Sequence, residues 1–445
     1  MAFVIKFAKG VRNHWKKSTF AACLLAYGAK RLKNKYEIDG IMKVYCEEAL
    51  TYGKVAITGN TLPRKITVIL NPAANKRSSL EDYEKYCSPI LNLAGICVDV
   101  VHTESEGHAK KLVQELKNTD ALIVAGGDGT LSEVVTGLIR RTGENNSKLI
   151  PIGVLPLGKS NTVGSALFPG GEHLGNVKSM AEASMAIVRE ATKPMDVMKI
   201  EIINEPDADT IQDGEKGDEV QEKKAVYALA GIEWGAYRDA SAKKDKYWYY
   251  GPLKKYATYI FNGYKDSLNW KCEALVNYSE PCEGCSNCVT HIEEKNTKWY
   301  NRFVRSTAKK EDRSRIINEN CQKYEQKQIS TADFACLTSN IFAGTANNSP
   351  PKLHLNLGPQ DVDYFNFLTE GFRSETGQRR QIVETIEARQ IELRPNLEKM
   401  DTQNAWFSID KDDFEVKPVK ITLLPKVITM FCSSSQTEIT NLTSP

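Results

Sequence analysis

From Lys65 onward, short apolar runs alternate with stretches whose apolar residues recur at helical spacing. The runs at 66–70, 98–101, 121–125 and 150–155 predict strands. Between them, residues 81–94, 107–118 and 131–141 predict helices. In the second of these, Ala109, Leu112, Val113 and Leu116 share one face. Strand and helix alternating at this tempo predict a parallel sheet with right-handed crossovers. After Pro194 the pattern changes. Strand candidates at 195–203, 225–232, 274–278, 334–337, 352–357, 388–393 and 419–424 follow one another without short helices between them. They predict a β-sandwich.

The expected fold class is therefore α/β: an N-terminal parallel-sheet, Rossmann-like nucleotide domain followed by a C-terminal β-sandwich domain. The expected division is a basic amphipathic targeting or membrane segment at 1–62, an α/β domain at 63–194, a β-rich domain at 195–431 and a tail at 432–445. Polar insertions at 201–222 and 279–327 carry too little apolar surface for a core of their own.

Charge changes the picture at the N-terminus. Residues 1–36 hold nine Lys or Arg and no Asp or Glu. Written as a helix, Phe3, Phe7, Val11 and Trp15 face away from Lys6, Lys9, Arg12 and Lys16. Such a segment suits a mitochondrial address or a helix lying on an anionic membrane. The uncharged stretch 18–29 reaches only roughly 18 Å as a helix, against a hydrocarbon core of ~30 Å. Attachment is thus expected to be peripheral or shallow. A net charge of +3 over 445 residues gives no global field for a nucleic acid, and no nucleic-acid partner is expected. The eleven cysteines read as core thiols. Cys282, Cys285, Cys288 and His291 stand at successive threes rather than in two separated pairs, and are not expected to hold a metal.

Candidate chemistry gathers at strand ends. Gly126-Gly127-Asp128-Gly129-Thr130 lies where a strand gives way to a helix, the usual ligand crevice of an open α/β sheet. Glycines there admit a phosphate close to the backbone, and a helix N-terminus favours anions. Asp128 is a candidate for a metal on the phosphates or for accepting a hydroxyl proton. A second loop, Asn71-Pro72-Ala73-Ala74-Asn75-Lys76, follows the first strand, with small residues and one cation.

These loops, followed by Pro156-Leu157-Gly158-Lys159-Ser160-Asn161, resemble in order and spacing the diacylglycerol/sphingosine kinase catalytic superfamily. Within it, the chain is most similar to the mitochondrial acylglycerol kinase family. Residues 12–17, 123–131 and 246–254 carry that resemblance. It implies an ATP site between the two domains and a requirement for Mg²⁺. It places Asn71, Pro72, Ala73, Ala74, Asn75, Thr103 and Gly107 along the nucleotide. Gly126, Gly127, Gly129 and Thr130 fall at its phosphates, with Asp128 at the metal and Lys254 reaching the phosphates. Asp239 falls at the lipid head group and Asp410 at a catalytic base. The implied activity is ATP-dependent phosphorylation of mono- and diacylglycerol, with ceramide as a further acceptor, at the mitochondrial inner membrane or intermembrane space. The implied alternative is a non-catalytic subunit of the carrier-protein import translocase. A soluble nucleotide or NAD kinase is a third reading of Gly-Gly-Asp-Gly-Thr. Two departures stand out. Gly158-Lys159-Ser160-Asn161-Thr162 replaces Gly-Thr-Gly-Asn-Asp, and Asp410-Lys411-Asp412 replaces Asp-Gly-Glu.

Overall fold

The structure, a computed structural model, describes residues 14–54, 63–142, 150–171, 174–203, 225–264, 268, 270–282, 285, 318, 321, 323–342, 350–378, 380–397 and 405–434. The extreme N-terminus, the insertion 201–222 from residue 204 on, most of the insertion 279–327, and the tail from 435 lie outside these residues.

Helix α1 (Trp15–Gly53) precedes β1 (Lys65–Leu70). Four parallel strands follow the order β2 (Cys97–His102), β1, β3 (Ala121–Gly126) and β4 (Ile152–Pro156). Strand β3 is buried along its whole length, and β1 at every residue after Lys65. Helices on both faces exclude water from the central strands, which explains their continuous apolar runs. The crossovers include α2 (His108–Glu115), α3 (Asp128–Thr142), α4 (Thr162–Leu167) and α5 (Gly175–Arg189).

The parallel sheet does not stop at the second half. Strand β5 (Thr192–Ile202) spans the expected boundary at 194/195 and pairs with the long β16 (Val419–Phe431). β16 touches β4 in parallel at Met430 and Ile152, and runs antiparallel to β13 (Gln390–Pro395). One ten-stranded sheet therefore runs through both halves, continuing to β8 (Cys272–Ser279) and β9 (Tyr324–Thr331). A second, six-stranded antiparallel sheet has the order β12 (Glu384–Ala388), β11 (Leu353–Leu357), β10 (Asp333–Thr338), β7 (Gly231–Gly235), β14 (Trp406–Ile409) and β15 (Asp412–Glu415). Trp234, Phe334 and Phe407 of this sheet share one core with Val276, Ile391, Leu393 and Ile421 of the other. Trp234 meets the Phe334 and Phe407 rings edge-on at 6.1 and 5.6 Å. This is the sandwich that the second-half pattern predicts.

Two expected strands are each divided. Residues 225–232 form β6 (Val226–Ala228) in the large sheet and β7 in the small one. Residues 388–393 divide between β12 and β13 in the same way. The first stretch is apolar throughout because the chain changes sheets inside the core, so hydrophobicity does not mark its corner, whereas Arg389 and Gln390 stand at the second corner. The pattern also passes over α6 (Ala236–Ala242), α7 (Lys254–Asn262) and α8 (Tyr364–Glu375). These join through Tyr237, Tyr259 and Phe367 in a small aromatic core.

Helix α1 divides into two parts by environment. Ala49 is wholly buried, and Ile38, Met42 and Tyr45 pack on the catalytic core. Glu48 pairs with Arg189, and Tyr45 donates to Glu182. By contrast Phe20, Leu24, Leu25, Tyr27, Leu32 and Tyr36 are 60–81% exposed. At ~100° per residue, Leu25, Leu32 and Tyr36 lie well round the helix from Phe20, Leu24 and Tyr27. The exposed part thus has no single apolar stripe. The expected amphipathic face begins at Phe3 and lies mostly outside the described residues. No helix among the described residues is long and apolar enough to cross a membrane.

Candidate active site

The C-terminal ends of β1, β2, β3 and β4 open onto a cleft of about 560 Å³. Asn71 to Lys76, Thr103, Gly127, Asp128, Gly129 and Thr130 line it, together with Gly158, Lys159 and Ser160. The two loops singled out in the sequence therefore face one space. Asn71 organises the first loop. Its side chain donates to Thr130 Oγ1 at 3.1 Å and accepts from the Ala73 N–H at 3.0 Å. Its carbonyl accepts from Ser79 Oγ at 2.7 Å. Asn75, Lys76 and Arg77 all hold positive φ, an arrangement rarely adopted by non-glycine residues and concentrated at ligand-binding turns.

Gly126 lies behind the cleft lining, where a Cβ would press on Thr130 Oγ1 at 2.9 Å. Gly107 turns the chain into α2 with φ +76, and its N–H donates to Glu133 at 2.9 Å. Gly127 and Gly158 meet backbone to backbone, since a Cβ on Gly158 would lie 2.2 Å from Gly127 Cα. Two phosphate-type loops can close on one another in this way only without side chains. Asn161 completes the second of them by bonding both the N–H and the carbonyl of Gly158.

Asp128 opens α3 and is buried. Both of its oxygens accept from Thr162: the N–H at 2.8 and 2.9 Å, and the hydroxyl at 2.9 Å. Burial raises its pKa, while the Thr162 bonds act against that. Asp410 does not line the cleft. It is buried, and its carboxylate accepts the N–H groups of Leu229, Ala230 and Gly231 at 2.7–3.0 Å. Burial pushes its pKa up to about 6 against those three donors. Asp410 and Lys411 are the two positive-φ residues between paired Ile409 and Asp412, which makes a type I′ hairpin turn. That geometry favours glycine at Lys411. The lysine has a partner instead: its Nζ pairs with Glu233 at 2.8 Å.

Two carboxylates reach the cleft from the second half, Asp412 and Asp245, joined by Glu104, Glu106 and Glu133 of the first. Burial, and then Glu133 and Glu106, push Asp412 up to about 6. Asp245 pairs with Lys159, and with Lys254 at 3.1 Å. Lys254 thus stands behind the cleft wall rather than in it. These bonds, the Lys159 bond foremost, hold Asp245 below the usual carboxylate range. Asp239 lies elsewhere, on α6, buried against Arg238 at 3.0 Å, with Arg238 also paired to Asp413. The cleft wall thus sets six carboxylates against Lys76 and Lys159, and its side chains able to ligate a cation offer oxygen. A polyphosphate enters such a space only with cations, and hard divalent cations take oxygen ligands. The residues fit Mg²⁺.

Glu133 and Asp245 are missing from the sequence reading. Glu133 has a signal in hindsight, because it stands one helical turn after Gly129 on the same face of α3. Asp245, inside Lys-Lys-Asp-Lys, has none.

A second cavity of about 570 Å³ opens on the six-stranded sheet, lined by Leu337, Ile341, Phe342 and Ile382 beside Asp333 and Arg380. A small cavity of about 20 Å³ is lined by Thr162, Glu233, Leu337, Ile341 and Asp410. Leu337 and Ile341 belong to both the apolar and the small cavity, and Thr162 is hydrogen-bonded to Asp128 of the cleft.

Comparison with known proteins accords with this geometry. The diacylglycerol kinase catalytic domain profile matches residues 65–200, and the acylglycerol kinase C-terminal profile matches 229–443. Mitochondrial acylglycerol kinase of Homo sapiens is 34% identical over 99% of this chain and 99% of its own. The Xenopus laevis protein of that name is 34% identical over 97% of this chain and 96% of its own. Sphingosine kinase 1 of Homo sapiens is 26% identical over 43% of this chain and 46% of its own. Matched in both halves and along nearly its whole length, the chain belongs to the acylglycerol kinase family, lipid kinases built on a diacylglycerol kinase catalytic domain.

Proposed function

We propose that this lipid kinase transfers the γ-phosphate of ATP to the hydroxyl of mono- or diacylglycerol at a mitochondrial membrane. The observation that carries the reading is the placement of two unlike cavities about Asp128 and Thr162. An acidic, glycine-lined cleft holds Asp128, Thr162 is hydrogen-bonded to Asp128 and lines a small cavity, and that cavity shares Leu337 and Ile341 with an apolar space. A nucleotide and an acyl chain entering from opposite ends would meet near Thr162. The backbone N–H groups of Gly127, Gly129 and Thr130, at the start of α3, bind the phosphates. Asp412 and Glu133 are assigned to hold Mg²⁺, because the oxygens of Asp128 are engaged by Thr162. When bound, the cation neutralises charge on the β- and γ-phosphates. The lipid oxygen forms a bond to the γ-phosphorus, the bond to the bridging oxygen breaks, and ADP leaves. The hydroxyl proton passes to Asp128 through the Thr162 hydroxyl that donates to it. Positioning and charge neutralisation supply most of the rate, since the transition state is loose.

Asp410, taken from the sequence as the base, is assigned instead to hold the corner at 229–231. Asp239 is retained as a buried support for the acceptor side through Arg238. The exposed aromatic and basic residues of α1 support membrane attachment, and the relatives' name supports the mitochondrion. The built phosphate loops favour catalysis over a role in carrier import alone. The test is a panel of monoacylglycerol, diacylglycerol, ceramide and NAD with radiolabelled ATP and Mg²⁺. Label on the acylglycerols supports the reading, and label on NAD alone ends it.

A further inference from the structure

We infer that Cys282, Cys285 and Cys321 form a thiolate zinc site that clasps the neck of the insertion between β8 and β9. Their sulfur atoms all lie within 4.8 Å of one another. Tetrahedral zinc–thiolate geometry, with bonds of ~2.3 Å, places sulfurs ~3.8 Å apart, so small side-chain adjustments suffice. Strands β8 and β9 are paired from Cys272↔Thr331 to Ser279↔Tyr324. Cys282 stands three residues beyond Ser279, and Cys321 three residues before Tyr324. The ladder's register therefore carries the two cysteines toward each other, where directly opposed residues come closest. Cys285 returns to the same point through a two-residue spacer, as in a zinc knuckle.

The surroundings suit thiolates. Cys285 is fully buried, and Asn318 Nδ2 donates to Cys282 Sγ at 3.5 Å. The Cys321 N–H in turn donates to the Asn318 carbonyl at 3.2 Å. Donation to a ligating sulfur is how outer residues fix a metal site. Three soft ligands select zinc over the hard cations suited to the ATP cleft. None of the three is in a disulfide. The sequence expectation of no metal at Cys282 and Cys285 rested on the lack of a second ligand group. Cys321 supplies it from the other strand. Cys288 and His291 lie outside the described residues. The physical purpose is plain from composition: the 35 residues between Cys285 and Cys321 are mostly polar. A segment that cannot build a core is commonly stapled by a metal.

The test measures metal in the full-length chain purified without chelator. Elemental analysis should give about one zinc per chain, and zinc-edge absorption should show sulfur neighbours at ~2.3 Å. Cys285→Ser and Cys321→Ser should lose the zinc, whereas Cys23→Ser and Cys97→Ser should keep it. If the first pair fails to fold, wild-type protein titrated with p-hydroxymercuribenzoate should release its zinc to a colorimetric chelator. Two results would overturn the inference. One is wild-type protein that neither contains nor takes up zinc. The other is peptide mapping that shows a disulfide among these three cysteines.

Discussion

The Asp412 carboxylate occupies the space a side chain on Gly129 would need. A Cβ built on Gly129 lies 2.6 Å from Asp412 Oδ1 and 3.1 Å from Oδ2. Gly129 belongs to the phosphate turn and Asp412 to the six-stranded sheet, so the two halves of the chain meet over the cleft at this contact. Gly129→Ala should force Asp412 aside while leaving the backbone of α3 in place. A displacement of about 1 Å at such a site costs on the order of 10²-fold in rate. The expected outcome is that loss in kcat with an unchanged Tm. Full activity in this variant would mean that Asp412 does no work at the phosphates.

Asp410 and Asp412 are two residues apart and should fail in opposite ways. Asp410→Ala strips partners from three buried N–H groups, at about 1–3 kcal/mol for each one left unmet. Its Tm should fall. Asp412→Asn removes a carboxylate that Glu133, Glu106, Asp413 and Asp128 all repel. Its Tm should hold or rise, while the Mg²⁺ concentration needed for half-maximal rate increases. Thermal melts of both variants, with Mg²⁺ titrations of Asp412→Asn, check the pair. A stable Asp410→Ala with reduced kcat would return the base assignment to Asp410.

Thr162→Val separates holding Asp128 from moving a proton to it. The Thr162 N–H bonds to both Asp128 oxygens survive the change, and only the hydroxyl bond is lost. One hydrogen bond to a charged carboxylate is worth about 1.5–3 kcal/mol of stability. A proton relay is worth about 10²–10⁴ in rate. Thr162→Val should therefore lose kcat beyond its loss of stability, and Thr162→Ser should recover it. Equal, small effects from both variants would remove Thr162 from the proton path.

The two loops were legible because phosphate binding demands small residues at strand ends, and those residues are conspicuous at Asn71–Asn75 and Gly126–Thr130. The parallel strands were legible because burial on both faces makes them uniformly apolar. The places where reading failed share one physical cause: partners distant in sequence. The corner at 229–230 looks like a strand interior, because burial continues through it. Asp410 and Asp412 are indistinguishable in an acidic run until the I′ turn sends one inward and the other to the cleft. Lys411 looks like a misfit for a turn that favours glycine until Glu233 appears beside it. Thr162 stands where the superfamily pattern has an acid, and only the structure shows it donating to Asp128.

Helix α1 should be divisible at about residue 37. Its first part exposes Phe20, Leu24, Leu25, Tyr27, Leu32 and Tyr36, none of which packs on the core. Its second part sets Ala49, Tyr45 and Met42 against the catalytic domain and pairs Glu48 with Arg189 at 2.7 Å. Deleting residues 1–36 removes nine cations, each worth about 1 kcal/mol at an anionic surface. That truncation should abolish co-sedimentation with anionic vesicles, keep the Tm, and keep transfer to detergent-dispersed lipid. Deleting residues 1–53 should also lower the Tm, because it uncovers the apolar surface under Ala49 and removes one carboxylate partner of Arg189. Vesicle binding that survives the shorter deletion would place the membrane contact elsewhere on the protein. An unchanged Tm after the longer one would mean that the second half of α1 adds nothing to the fold.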